Sequence, residues 1–216
     1  MTIVTIRGLH GAGASEVGRR VAQLLRADYV DREIIEAVAE RLKREPAEIV
    51  AKEEPPGTLL GRIVEALGKT PPSGPGMQGA YLATWEIPLA DASYITGLEA
   101  VIKDLAKGPS VVIRGRGSQF ILKDHPSACH VLVVAPLALR LAAVRNDTGV
   151  NGDEAKAEIE RVDRSRKEFT QRYFHANLED PIHYDLVINR HRLSVDAAAE
   201  IVMKALEVRG LGPAAN

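Results

Sequence analysis

Thr2-Ile3-Val4-Thr5-Ile6-Arg7-Gly8-Leu9-His10-Gly11-Ala12-Gly13-Ala14-Ser15 reads as a strand that runs straight into a glycine-rich turn. From Gly8 through Gly13 to Ser15 the spacing is that of the phosphate loop G-x-x-x-x-G-K-[ST], with Ala14 in the lysine position. Gly8, Gly11 and Gly13 admit backbone angles closed to most side chains and let amides approach an anion. Val17, Val21, Leu24 and Leu25 continue as an apolar helical stripe, so the positive end of a helix follows the turn. The pattern therefore assigns Gly8, Gly11, Ala12, Gly13, Ala14 and Ser15 to phosphate binding, with Ser15 also placed to stand near magnesium. It lacks the point charge that reaches β- and γ-phosphates. Arg7 and Arg19 are nearby cations that would compensate, although ordinary surface ion pairing accounts for both equally well. A turn that serves only strand-to-helix packing is the competing reading of the loop.

Outward from this stretch, short apolar runs alternate with helical patterns. The runs are Ile3–Ile6, Ala27–Val30, Ser110–Ile113, His130–Val134 and Leu186–Ile188. Helical periodicity falls at about 15–26, 32–43, 94–107, 136–146, 153–174 and 194–208. Buried strands separated by helices predict a mainly parallel sheet covered on both faces, an α/β fold. Ser194 is the expected N-cap of the last helix and Gly210 its expected stop. Residues 53–80, rich in Pro and Gly, predict a surface loop inserted between helical pieces. After the break at 146–153 comes a strongly charged helix. It reads either as a solvated face or as a closing lid whose cations meet phosphate, the lid region covering 146–175.

Three further groups of residues suit chemistry at the carboxyl ends of strands, where open parallel sheets collect ligands. Asp31-Arg32-Glu33 follows the second strand. Asp31 and Glu33 suit a helix start, while Arg32 is electrostatically poor there and gains a purpose at an acceptor phosphate. Ile113-Arg114-Gly115-Arg116-Gly117-Ser118 ends another strand with two guanidinium groups, suited to bidentate phosphate contact or to bridging carboxylates. Asp163 and Arg166, three apart on the charged helix, share a face and either grip a polar ligand together or pair with each other. The histidines have no metal-ligand spacing, so a zinc site is not expected.

Composition narrows the function classes. A formal charge of -1 gives no general attraction to nucleic acid or to an anionic membrane, so neither is an expected partner. The single Cys129 excludes a disulfide framework and points to a reducing compartment. No secretory segment and no membrane-length apolar run is visible, and a cytoplasmic location is expected. The helices around 85–105 are the candidate surface for a homodimer.

Taken together, Ile6–Gly13, Tyr29–Ile35, Val112–Gly117, Asp163–Arg166 and Tyr184–Asn189 resemble the cytidylate kinase-like family of P-loop nucleoside monophosphate kinases over about residues 2–208. The resemblance implies a three-layer P-loop kinase fold with a parallel core sheet and a small helical lid, in a single domain over 1–210. It implies ATP and Mg2+ as cofactors and CMP, dCMP or another small phosphorylated molecule as acceptor. Gly8 to Ser15 would hold the donor phosphates. Arg116, Asp163 and Arg166 would serve catalysis and acceptor binding, with Asp31 beside the acceptor. Cytidylate kinases proper carry Gly-Lys where this chain has Gly13-Ala14, and an acidic residue where it has Arg114. The cytidylate kinase-like subgroup itself commonly lacks the loop lysine. The competing expectation is a nucleotide-binding regulatory protein that keeps the fold with little or no catalysis.

Overall fold

The computed structural model describes residues 1–31 and 91–212. The chain divides into two compact units, Met1–Asp31 with Ile102–Asn216, and Arg32–Val101. Arg32, the helix expected at 32–43 and the loop expected at 53–80 lie outside the described residues, as do residues 85–90 of the candidate dimer surface.

In the first unit, β1 (Ile3–Gly8), β2 (Asp28–Val30), β3 (Val111–Arg114), β4 (Ala128–Val134) and β5 (Leu186–Asn189) form one sheet in the order β2-β3-β1-β4-β5. Every pairing is parallel. The central strands β1, β3 and β4 are buried along most of their length, which explains their uninterrupted apolar sequences. The edge strand β5 buries only Ile188. Buried polar groups in the sheet find partners: Thr5 and His130, directly opposite in register, join Oγ1 to Nδ1 at 2.7 Å.

Helices flank this sheet. α1 (Ala14–Leu25) buries Ala14, Val17, Gly18, Val21, Ala22 and Leu25, the one-sided stripe that its sequence spacing predicts. Burying Val17, Val21 and Leu25 contributes roughly 1.5–3 kcal/mol for each side chain. α2 (Asp91–Leu105) belongs to the second unit as far as Val101, and its Tyr94 and Leu98 are buried. The four-residue α3 (Ser118–Ile121) follows β3. α4 (Leu137–Thr148) ends at Gly149 in the left-handed region, and α5 (Gly152–Phe174) starts at once from Asn151. Asn151 accepts from the amides of Asp153 and Glu154 while Glu154 returns to the Asn151 amide, a complete capping box. Val144, Ala155 and Ile159 form the small core between α4 and α5. α6 (Val195–Val208) is capped by Ser194 as expected and packs on α1 through Ala198, Ala199, Val202 and Leu206. The result is an α/β fold with a parallel core sheet between helical layers, the three-layer arrangement of P-loop kinases.

Candidate functional site

β1 delivers the chain to Gly8, whose close quarters leave no room for a side chain: a Cβ there would lie 2.6 Å from the Ala14 methyl and 2.8 Å from the Val133 carbonyl oxygen. The turn beyond it closes through Ala12 N–H to the Leu9 carbonyl, 3.0 Å. Gly11 and Gly13 have φ of +76° and +83°, values that strain any residue with a Cβ. Gly13 is the N-cap of α1, and no side chain among the described residues caps the helix there, so its first amides keep the geometry that favours an anion. Ala12 and Ala14 are buried. Gly8 to Ser15 thus forms a strand–turn–helix cradle with the path that its spacing predicts.

Three arginines from three separate elements hold alternate carbonyls of this loop. Arg166 of α5 donates through Nη1 to the Gly8 oxygen at 3.0 Å. Arg140 of α4 reaches the His10 oxygen at 3.4 Å, and Arg190, just beyond β5, donates to the Ala12 oxygen at 3.1 Å. Asp163 is drawn into the same network. It accepts the His10 amide at 2.8 Å through one oxygen and pairs with Arg140 through the other. Glu158 meets His10 Nε2 at 3.0 Å. Burial, and then the Arg166 charge, lower the His10 pKa, with Glu158 opposing. Asp163 and Arg166 therefore each reach the loop from α5.

A second concentration of charge lies where β1 and β3 end. Gly115, Arg116 and Gly117 have φ of +69°, +59° and +68°, three successive left-handed residues. For Arg116 that conformation carries strain of roughly 1–2 kcal/mol. Phe174 covers Gly117 so closely that a Cβ there would meet its ring at 2.2 Å. Arg114 pairs with Asp31 at 2.6 Å. Arg7 has Nε and Nη2 sealed from solvent with no hydrogen-bond partner among the described residues. Burial, and then Arg166, Arg114 and Arg116, push its pKa well down, while Tyr184 opposes. Of the expected site residues, Asp31, Arg116 and Arg166 thus gather with Arg7 and Arg114 around this edge.

The structure adds two arginines to those the sequence suggested, Arg140 and Arg190, and changes the reading of a third. Arg7 is not the surface ion-pairing residue that its sequence context allowed. Arg140 and Arg190 escaped the sequence reading, since no local spacing links them to residues 130 and 178 positions away. Arg190 had one legible signal, its place just past the carboxyl end of a strand. Arg19 is instead drawn to the Tyr29 ring, 5.4 Å from its centroid.

The fit to Mg2+ rests on Ser15, a hard oxygen donor in the first turn of α1. The Tyr29 hydroxyl is buried without a hydrogen-bond partner among the described residues, and burial raises its pKa. Among the described residues no three His, Cys, Asp or Glu side chains gather to hold a metal. A magnesium ion at Ser15 would take most of its ligands from nucleotide phosphates and water.

The model of the cytidylate kinase-like family matches residues 3–192. The chain belongs to the cytidylate kinase-like family. No curated protein matches it. Solved structures of similar fold include an uncharacterized protein from Eubacterium ventriosum, at 18% identity and a TM-score of 0.66, covering 96% of this chain and 99% of that one. Shikimate kinase from Bacteroides thetaiotaomicron gives 13% and 0.50, covering 95% and 98%. Shikimate kinase from Acinetobacter baumannii, in complex with shikimate, gives 15% and 0.50, covering 98% and 96%. Family and fold together support kinase-type phosphotransfer to a small molecule by this cytidylate kinase-like chain. No described helix is long and apolar enough to cross a membrane.

Proposed function

We propose that this chain transfers the γ-phosphoryl group of ATP to CMP, dCMP or a related small phosphorylated acceptor. The observation that carries this reading is the company of Arg7, Arg114, Arg116 and Arg166 beside the glycine loop. Arg7, with two buried donors unmatched among the described residues and the charges of Arg166, Arg114 and Arg116 set against it, is stabilised when a polyanion joins it. The amides of residues 11–15 would hold the donor phosphates, and Arg116 and Arg166 the acceptor anion. Asp31 and Asp163 would orient the acceptor. Ser15 would be the protein ligand of Mg2+, which supplies Lewis-acid neutralisation of phosphate charge when bound.

In this mechanism an oxygen of the acceptor phosphate attacks the γ-phosphorus in line. The new O–P bond forms as the bond to the β,γ-bridging oxygen breaks, and ADP leaves with that electron pair. Arg166 and Arg116 stabilise charge spreading over the transferred group. The segment 146–175 acts as the lid: α5 already reaches the loop through Asp163, Glu158 and Arg166, and its closure excludes water.

The test is a phosphotransfer screen with Mg-ATP against CMP, dCMP, UMP, AMP and shikimate, measuring ADP and phosphorylated product separately. Equal ADP and product with CMP or dCMP is the expected result. ADP without product would mean hydrolysis, and product only from shikimate would replace the acceptor class. A second reading, a nucleotide-responsive regulatory protein, is favoured by one contact: the Asp163 carboxylate occupies the His10 amide at the cradle. ATP binding that releases α5, with no product from any acceptor, would support that reading instead.

A further inference from the structure

Arg190 stands immediately after β5, where its amide bonds to the Val134 carbonyl at 2.8 Å and fixes the backbone at the end of the sheet. Its side chain crosses to the glycine loop and donates through Nη1 to the Ala12 oxygen at 3.1 Å. It lies so close over Gly13 that a Cβ there would be 1.6 Å from Nη1 and 2.8 Å from Cζ. Two features of this placement exceed a structural tie. A cation here faces the positive end of α1, the opposite of what the helix dipole favours. Its Nε is buried with no hydrogen-bond partner, and no carboxylate pairs with this guanidinium among the described residues. Both costs are relieved when an anion enters the cradle. The next residue along the loop, Ala14, is only 6% exposed, with its methyl against Gly8, so the position that the loop pattern reserves for a cation carries none.

We propose that Arg190 supplies to the donor polyphosphate the positive charge that Ala14 lacks, reaching the cradle from the end of β5 rather than from within the loop. The inference rests on the reading of Gly8 to Ser15 as the donor-phosphate loop. A guanidinium suits this task because its fan of donors can keep the Ala12 carbonyl and still turn Nε or Nη2 toward a phosphate oxygen. The short lysine path is thereby replaced by one that ties β5 to the nucleotide. Gly13 is then required twice, for its left-handed backbone and for the space that Arg190 fills.

The test compares Mg-ATP and adenosine binding by calorimetry for the parent, Arg190→Met, Ala14→Lys and the double variant. Arg190→Met is expected to weaken Mg-ATP roughly tenfold to a hundredfold, the scale of one charged hydrogen bond, and to leave adenosine unchanged. Ala14→Lys alone is expected to gain less than about threefold, since the charge is already supplied. In the Arg190→Met background the same lysine is expected to restore at least about tenfold. Equal gains from the lysine in both backgrounds would overturn the inference, as would unchanged Mg-ATP binding in Arg190→Met or an equal loss for ATP and adenosine. Should Arg190→Met fail to fold, Ala14→Lys in the parent still decides, because a gain above tenfold there overturns the inference. A parent that binds no Mg-ATP would instead overturn the reading of the loop, and this inference with it.

Discussion

Arg7 is held against its own electrostatic interest. Two of its nitrogens are buried and unmatched, and its charged neighbours Arg166, Arg114 and Arg116 repel it. A guanidinium does not escape by losing its proton, so the fold carries the desolvation as a standing cost. Arg7→Met keeps most of the volume and removes both the charge and the orphaned donors. The expected outcome is a gain of about 1–3 kcal/mol in stability, measured by urea denaturation, together with loss of acceptor-dependent turnover. A drop in stability would mean that Arg7 serves the fold and not a ligand. Gly13 presents the opposite case, a residue with no side chain where any side chain fails. Gly13→Ala would place its methyl into the Arg190 guanidinium at a φ of +83°. A loss of at least about 1–2 kcal/mol is expected from the backbone alone, with Mg-ATP binding lost as Arg190 is displaced. Thermal denaturation and calorimetry check the two effects separately.

α5 joins the glycine loop through few but strong contacts, and Asp163 is their centre, since it holds both the His10 amide and Arg140. Asp163→Asn leaves the Arg140 guanidinium without its charge partner in a nearly buried place. A loss of about 1.5–3 kcal/mol is expected, with faster hydrogen exchange at the His10 amide while the sheet amides stay protected. Uniform exchange changes across the sheet would show that α5 is part of the global core and not a separable lid. Asn151→Ala tests the start of the same helix and should cost about 1 kcal/mol through loss of the capping box. α5 also shows where sequence stops being legible. Its extent over 153–174 is plain from periodicity, and the pair Asp163 and Arg166 is visible as a shared face. That both would turn onto the loop depends on partners more than 150 residues away, which no local pattern encodes. The central strands were readable because burial on both faces leaves apolar runs with sharp ends. α3 and the single turn at Pro181–His183 are too short to build a periodic signal.

At the scale of the molecule, four buried or half-buried titratable groups among the described residues tie stability to pH. His10 and His130 both have pKa values lowered from 6.5, chiefly by burial, so the folded chain resists protonation that the unfolded chain accepts. Between each folded value and 6.5 the unfolded state binds more protons, and stability must fall as pH drops through that window. Around His130, Asp185 and backbone hydrogen bonds with Leu122 and Lys123 oppose the shift, Arg209 adds to it, and Thr5 is bonded to the ring. On the alkaline side the signs reverse. Burial pushes the Cys129 thiol from 9.0 up to about 11 and the Tyr184 phenol from 10.0 to about 12. The unfolded chain then ionises first, and stability falls as pH rises from 9 toward 11 for the thiol and from 10 toward 12 for the phenol. Two pH units of separation at Cys129 correspond to about 2–3 kcal/mol when fully developed. Urea denaturation at fixed pH from acid to alkali is therefore expected to trace a plateau with a decline on each side. Cys129→Ala isolates the thiol: it should flatten the decline between pH 9 and 10, where Tyr184 contributes little, and leave the acid limb unchanged. An alkaline limb that keeps its slope in Cys129→Ala would mean that the buried thiol does not control it, and that the arginine network at the loop and strand ends gives way first.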